Sequence, residues 1–320
     1  MIISKITTQI RKIPLRTPFI TALRRVNDVE FVRVSVTNDE GVVSFGEAPA
    51  TKAVTGEDLD TITNAIESNK ELFYGLEPAK AIELLHKLDI GSSAKACLDM
   101  AFYTFTDSDM LSKVKVKNEM HSISQTAITI SFNEKAKMLY DAKDAINNYH
   151  YILKLKLGSN IEHSIDVTKS IQNKLPVAVL LIDANQAWSI EDTKKYIDAL
   201  NGTKIELIEQ PIDANDIDGL KEIKEYSNIP IVADEICFLL NDVKRVVESN
   251  SADIINIKLM KCGGITKAIE ILEYCREKSV PVMFGSMLEG PISIGYASYL
   301  VNKYTDIVKY VDLDSPLLYK

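Results

Sequence analysis

From about residue 122 onward, short apolar runs alternate with helix-length amphipathic segments, and this rhythm constrains the fold more than any other feature of the chain. Eight runs recur: Ala127–Ile130, Ile152–Leu157, Val177–Ile182, Ile205–Ile208, Pro230–Ala233, Ile254–Leu259, Val280–Phe284 and Ile307–Val311. Helical segments such as Ile161–Leu175 and Thr266–Lys278 fill the gaps, and no long helix follows the last run. That is the grammar of parallel βαβ units. Eight evenly spaced strands rarely stay open, and no GxGxxG follows the first, so the pattern predicts a closed (β/α)7β barrel and not an open dinucleotide-binding sheet.

The preceding part reads differently. Ile2–Ile10 and Val29–Val36 alternate, and the turn Asn38-Asp39-Glu40-Gly41 leads into Val42–Ala48. Amphipathic helices start near Glu57, Pro78 and Ser92, the last with Ala94, Leu98, Ala101, Phe102 and Phe105 on one face. Strands followed by helices indicate an α+β unit. The predicted fold is therefore α/β: an N-terminal α+β domain over 1–118, a TIM-like (β/α)7β barrel over 119–311 and a short tail over 312–320.

Composition narrows the partners. An apolar fraction of 46% and a charged fraction of 26% are those of an ordered globular chain. A net charge of −8 argues against nucleic acid or an anionic membrane, which reward clustered Lys and Arg, and so favours a small-molecule partner. The start, MIISKITTQIRKIPL, alternates where a signal peptide would be continuously apolar, and no run has membrane-spanning length. A cytoplasmic location is the expectation, and a homo-oligomer is compatible with it. Cys97, Cys237, Cys262 and Cys275 show no CxxC spacing and the four histidines form no HExxH, so the cysteines read as ordinary buried residues.

Barrel active sites lie at the C-terminal strand ends, so the polar residues that close each run carry the chemistry. Run two ends Lys154-Leu155-Lys156, run three Asp183-Ala184-Asn185, run four Glu209-Gln210-Pro211 and run five Asp234-Glu235, while run six contains Lys258. Three adjacent strands thus offer one carboxylate each, flanked by lysines. Converging carboxylates repel unless a hard cation neutralises them, and an all-oxygen set with room for water suits Mg²⁺. Any one acid taken alone is more simply an N-cap of the next helix. Lys154 and Lys156 alternate on one strand, so both can face the barrel interior, where two unpaired ammonium groups would be costly.

Together the strings KLK, DANQAW, IEQP, ADE and NIKLMKCGGI resemble the muconate-lactonizing branch of the enolase superfamily across essentially the whole barrel. The resemblance implies Asp183, Glu209 and Asp234 as Mg²⁺ ligands, Lys156 and Lys258 as the two acid/base groups and Lys154 beside the substrate carboxylate. It makes the α+β unit a capping domain, with Thr17–Val26 as a mobile loop over the barrel mouth. The end of run eight, Val311-Asp312-Leu313-Asp314-Ser315-Pro316, resembles the DxD of dipeptide epimerases, whose paired acids receive a free α-ammonium group. Relatives usually carry a glycine-rich linker where this chain has Asp107–Met120, and a longer tail beyond the DxD than residues 315–320.

The expected reaction is epimerisation at the α-carbon of the C-terminal residue of a dipeptide, with L-Ala-D/L-Glu favoured because Arg24 matches a position that meets an acidic side chain. Ser286 and Met287 would border the side-chain pocket, and Thr129 could add a hydroxyl. An N-acylamino acid racemase and an o-succinylbenzoate synthase share the same core. A Schiff-base aldolase on Lys258 is the rival outside the superfamily, disfavoured because it needs no metal.

Overall fold

The computed structural model describes residues 1–21, 25–110 and 125–320. The expected domain boundary near 118 falls outside them, as does Arg24. Strands β1 (Ile3–Ile20), β2 (Arg25–Asn38) and β3 (Val43–Pro49) form an antiparallel sheet in that order. The Asn38 side chain closes the β2–β3 turn by accepting from Glu40 N at 3.0 Å and Val42 N at 2.8 Å. In the segment expected to lie over the barrel mouth, the described residues Phe19 and Ile20 pair with Val26 and Arg25. The register is unbroken from Lys5 to Pro14 and shifts between Pro14 and Phe19 before the pairing resumes.

Helices Leu59–Asn69, Pro78–Leu85 and Ser92–Thr104 cover this sheet. Ser92–Thr104 is buried nearly all round, Ala94, Ala96, Cys97, Leu98, Met100, Ala101 and Phe102 being inaccessible. Such a helix needs apolar partners on every side. It finds them between sheet and barrel.

Eight parallel strands follow: β4 (Ile128–Ile130), β5 (Ile152–Lys156), β6 (Val179–Asp183), β7 (Ile205–Glu209), β8 (Ile231–Ala233), β9 (Ile254–Ile257), β10 (Val282–Gly285) and β11 (Val308–Asp312). They pair in sequence order, and Ala127 N donates to Val311 O at 2.8 Å across the seam between first and last. A full helix stands after each strand from β4 to β10, and only the short turn Ser315–Leu318 follows β11. The (β/α)7β barrel is as expected. The final residues pack on the capping domain: Tyr319 bridges Leu15, its carbonyl accepts from Arg16 Nε at 2.7 Å, and Lys320 N donates to Pro14 O at 2.9 Å.

The two-residue period of a strand builds the interior in layers. Ala127, Leu181, Leu207, Val232, Ile254 and Met283, with Ile152 and Tyr310 against them, form an apolar plug inside the barrel. Two residues further along each strand stand Thr129, Lys154, Asp183, Glu209, Asp234, Asn256, Gly285 and Asp312. The polar layer thus rests on a dry floor. The residues between, such as Leu153, Leu155, Leu180, Ile182 and Ile208, face the helices. All four cysteines are free and buried, and among the described residues no helix is long and apolar enough to cross a membrane.

Candidate active site

Asp183, Glu209 and Asp234 are fully or almost fully buried at the ends of three successive strands. They are not helix caps. The helices after β6, β7 and β8 are entered through Ser189, Asp216 and Leu239, the first two with their own side chains accepting from the first turn. The backbone turns sharply beyond the acids, with Asn185, Gln186 and Gln210 at positive φ (46°, 67° and 34°). Non-glycine residues held there store strain, which concentrates at functional sites. Gln210 stabilises the turn by accepting from Asp234 N at 3.0 Å and donating through Nε2 to Ile212 O at 3.0 Å.

The lysines lie between the acids. Lys154 Nζ stands 3.0 Å from Asp183 Oδ2, 2.7 Å from Glu209 Oε2 and 2.7 Å from Asp312 Oδ2. Lys156 pairs with Asp183 at 2.5 Å, and Lys258 pairs directly with Asp234 and reaches Glu209 Oε1 at 3.9 Å. Burial opposes every charge, so pairing decides each proton. Burial would raise Asp183, but Lys154 and Lys156 outweigh it and hold its carboxyl low. Asp234 is held well below the usual range against burial by Lys258 and Lys261. Glu209 goes the other way: burial and then the Asp183 charge push it up. Lys154 stays an ammonium because Asp183, Asp312 and Glu209 overcome its burial.

This donor set fits a hard divalent cation in chemistry, being three oxygen-bearing acids on adjacent strand ends, one of them short of compensating positive charge. In geometry it is not drawn together: among the described residues no three His, Cys, Asp or Glu side chains stand around one cation position. Lysine ammonium groups fill that space.

Above this layer a cleft separates barrel and capping domain, with a cavity of about 60 Å³ inside it. Lys156, Lys258, Thr129, Ser286, Met287, Asp312 and Asp314 all line it, with Phe19, Thr21 and Val54 of the capping domain forming its roof. Lys156 on β5 and Lys258 just past β9 approach it from the second and sixth barrel strands, across from each other. Gly285 makes room for Lys258, since a Cβ there would stand 3.1 Å from Lys258 Cε and 2.8 Å from Asn256 Oδ1. Asp312 Oδ1 is buried without a hydrogen-bond partner among the described residues, and Asp314 accepts from Thr129 N at 2.7 Å. Burial and the Asp312 charge push the Asp314 carboxyl up to about 6.

Eleven of the twelve residues singled out from the sequence therefore meet at one end of the barrel, and Arg24 lies outside the described residues. Lys154 differs in depth: it lies beneath the cleft and not in its wall. Sequence reasoning missed Lys261, fully buried, which donates to Asp234 Oδ1 and Asp234 O at 2.6 Å each and to Asn256 O at 2.9 Å. Its signal was a lysine inside an otherwise apolar stretch, Leu259-Met260-Lys261-Cys262. Asn185 and Glu235 in the cleft wall, joined at 3.3 Å, were also passed over.

The chain is similar to known proteins in sequence and in fold. The Enolase C-terminal domain-like family matches residues 137–302, more than half of the chain. A relative from Sulfurimonas denitrificans, the L-amino acid-D/L-Glu epimerase, is 51% identical over all of this chain and 95% of its own length. The substrate-liganded L-Ala-D/L-Glu epimerase of Bacillus subtilis superposes with a TM-score of 0.92 at 33% identity, covering 100% of this chain and 92% of that one. The dipeptide epimerase of Enterococcus faecalis V583, complexed with Mg and L-Leu-L-Tyr, does so with a TM-score of 0.92 at 32% identity over the same shares. With the layered site, these likenesses lead to one statement: this chain belongs to the enolase superfamily, in its family of dipeptide epimerases.

Proposed function

We propose that this protein is a Mg²⁺-dependent isomerase that epimerises the C-terminal residue of dipeptides, with D/L-Glu as that residue. The observation that carries the reading is the meeting of Lys156, Lys258, Asp312 and Asp314 in the wall of one cleft. Lys156 and Lys258 face a bound α-carbon from opposite walls, so one Nζ takes the proton and the other returns it to the opposite face. Asp312 and Asp314 receive the substrate's free ammonium group, Asp312 through its unpartnered Oδ1. Asp183, Glu209 and Asp234 would hold Mg²⁺, which when bound supplies positive charge to the negative charge developing on the substrate carboxylate. A lysine base beside Mg²⁺ is an established arrangement in this superfamily. Lys154, locked among Asp183, Glu209 and Asp312, keeps the acids of both subsites in register.

Glutamate is supported by the relative named for D/L-Glu, and Arg24 is our candidate for its side-chain carboxylate. Ser286 and Met287 form the neighbouring pocket wall, Ser286 Oγ donating to Asp312 O at 3.3 Å. We assign the capping domain to 1–118, the barrel to 119–311 and the tail to 312–320, and a cytoplasmic location.

The test is a pair of variants. Lys156→Ala and Lys258→Ala should each lower epimerisation by about 10²- to 10⁴-fold. Each should still exchange the α-proton for deuterium from one diastereomer only, opposite in the two. Equal exchange from both diastereomers in either variant would overturn the two-base assignment. In Arg24→Ala, kcat/KM should fall for Ala-Glu and not for Leu-Tyr; an unchanged ranking removes Arg24 from recognition.

A further inference from the structure

Among the described residues three full helices begin at a glycine, and a remote carboxylate occupies the place where that residue's own side chain would stand. Gly91 opens Ser92–Thr104, and Glu57 accepts from Ser93 N at 2.7 Å and Ala94 N at 3.1 Å. Gly264 opens Ile265–Lys278, and Asp99 Oδ2 accepts from Thr266 N at 3.0 Å. Gly290 opens Pro291–Lys303, and Glu47 Oε2 accepts from Ile292 N at 2.7 Å and Ser293 N at 3.2 Å. A Cβ would come within 2.1 Å of Glu57 at Gly91, 2.4 Å of Asp99 at Gly264 and 2.5 Å of Glu47 at Gly290. Helix starts normally take a cap from their own N-cap residue. Here the glycine leaves space for a cap from elsewhere.

Two of these caps cross between domains. Asp99 sits on the capping-domain helix Ser92–Thr104 and is also held by His86 Nε2 at 2.9 Å. Glu47 sits on β3 and is held by Arg33 Nε at 2.8 Å. The barrel helices they cap follow the strand ends that carry the site. Lys258 leads through the short turn Leu259–Cys262 to Gly263 and Gly264, at φ of 89° and 114°. Ser286 to Leu288, in the cleft wall, leads directly to Gly290, and Leu288 packs on Phe31, Val29 and Leu15 of the capping sheet.

We infer that Glu47 and Asp99 are positioning residues: capping-domain carboxylates that serve as N-caps for two barrel helices and so set the pocket wall at 286–288 and the seat of Lys258, respectively. The inference rests on the epimerase reading for its kinetic consequences only. Glu47 acts on substrate fit and Asp99 on proton transfer.

The experiment combines hydrogen exchange with steady-state kinetics on the full-length protein with Mg²⁺, using Glu47→Ala, Asp99→Ala, Asp99→Asn and the double variant Glu47→Ala/Gly290→Ser. In Glu47→Ala, amides of 286–293 should exchange at least tenfold faster, with KM for Ala-Glu raised at least tenfold and kcat within threefold. In Asp99→Ala, the fast segment should be 258–268, with kcat lowered at least tenfold and KM within threefold. Asp99→Asn, whose amide caps as well as a carboxylate, should stay within threefold of wild type throughout. The double variant, capped by its own serine, should regain protection at 292–293 and keep the raised KM. Wild-type exchange at 286–293 in Glu47→Ala overturns the inference, as does a double variant with normal KM, or both alanine variants losing kcat and KM together. If Glu47→Ala does not fold, the KM of the double variant decides. A wild-type protein that turns over no dipeptide would defeat the epimerase reading alone, and the exchange patterns would still judge the positioning claim.

Discussion

Asp312 and Asp314 are the same residue type two positions apart, and their surroundings separate them. Asp312 has Lys154 at 2.7 Å, whereas Asp314 is buried beside the Asp312 charge with a backbone N–H as its support. Its carboxyl, pushed up to about 6, binds a proton more tightly than a free aspartate would. Ammonium recognition needs the carboxylate, so KM for a free dipeptide should fall as pH rises through about 6 and level off above it. Initial rates between pH 5 and 8 check this, and a KM that rises over that window contradicts it. Asp314→Asn should abolish the inflection and raise KM about 10- to 100-fold, the worth of one charge-assisted hydrogen bond. N-acetylated dipeptides should be poor substrates of the wild type. Lys154, Asp183, Glu209, Asp234 and Asp312 were legible in the sequence because each stands two residues beyond an inward-facing apolar side chain, and Lys156 and Lys258 because each follows two residues after a polar member of that layer. The depth of Lys154 was not, since strand alternation fixes a side chain's direction and not which neighbours close over it. Nor was Lys261, whose partners Asp234 and Asn256 come from two strands.

The eight barrel strands were legible as elements because apolar runs bounded by turn signals leave few other readings, and their ends moved by no more than two residues. The far end of β1 was not: Thr17-Pro18 and the polar residues around it carry loop chemistry, and the strand there rests on the pairing of Phe19 and Ile20 with Val26 and Arg25. The capping-domain helix Ser92–Thr104 shows what elements contribute beyond themselves. Phe102 is inaccessible and lies 5.0 Å from the Phe73 ring at 54°, so truncation leaves a void between sheet and helix. Phe102→Ala should cost about 3–5 kcal/mol, read from the urea midpoint. Because the helix touches both domains, the loss should shift one common transition; separate transitions for cap and barrel would show that the domains unfold independently.

For the molecule as a whole, the sequence conveyed two domains and a shared mouth but not the joinery between them. Glu47 and Asp99 are single acids in the sequence, and the barrel-helix amides they cap lie 167 to 246 residues away. The site they frame is an acidic cluster balanced by lysines, and it is there that a cation would act. Exhaustive chelation should abolish turnover and Mg²⁺ should restore it, with the fold retained in far-ultraviolet circular dichroism; activity that survives chelation would remove the metal from the account. The most direct test of proton transfer follows L-Ala-D-Glu and L-Ala-L-Glu with the Mg²⁺-loaded wild-type protein in deuterium oxide, reading stereochemistry and mass together. The account predicts that the two diastereomers interconvert and that one deuterium enters, at the α-carbon of the glutamate. Interconversion without deuterium, or no reaction with any free dipeptide, would contradict it.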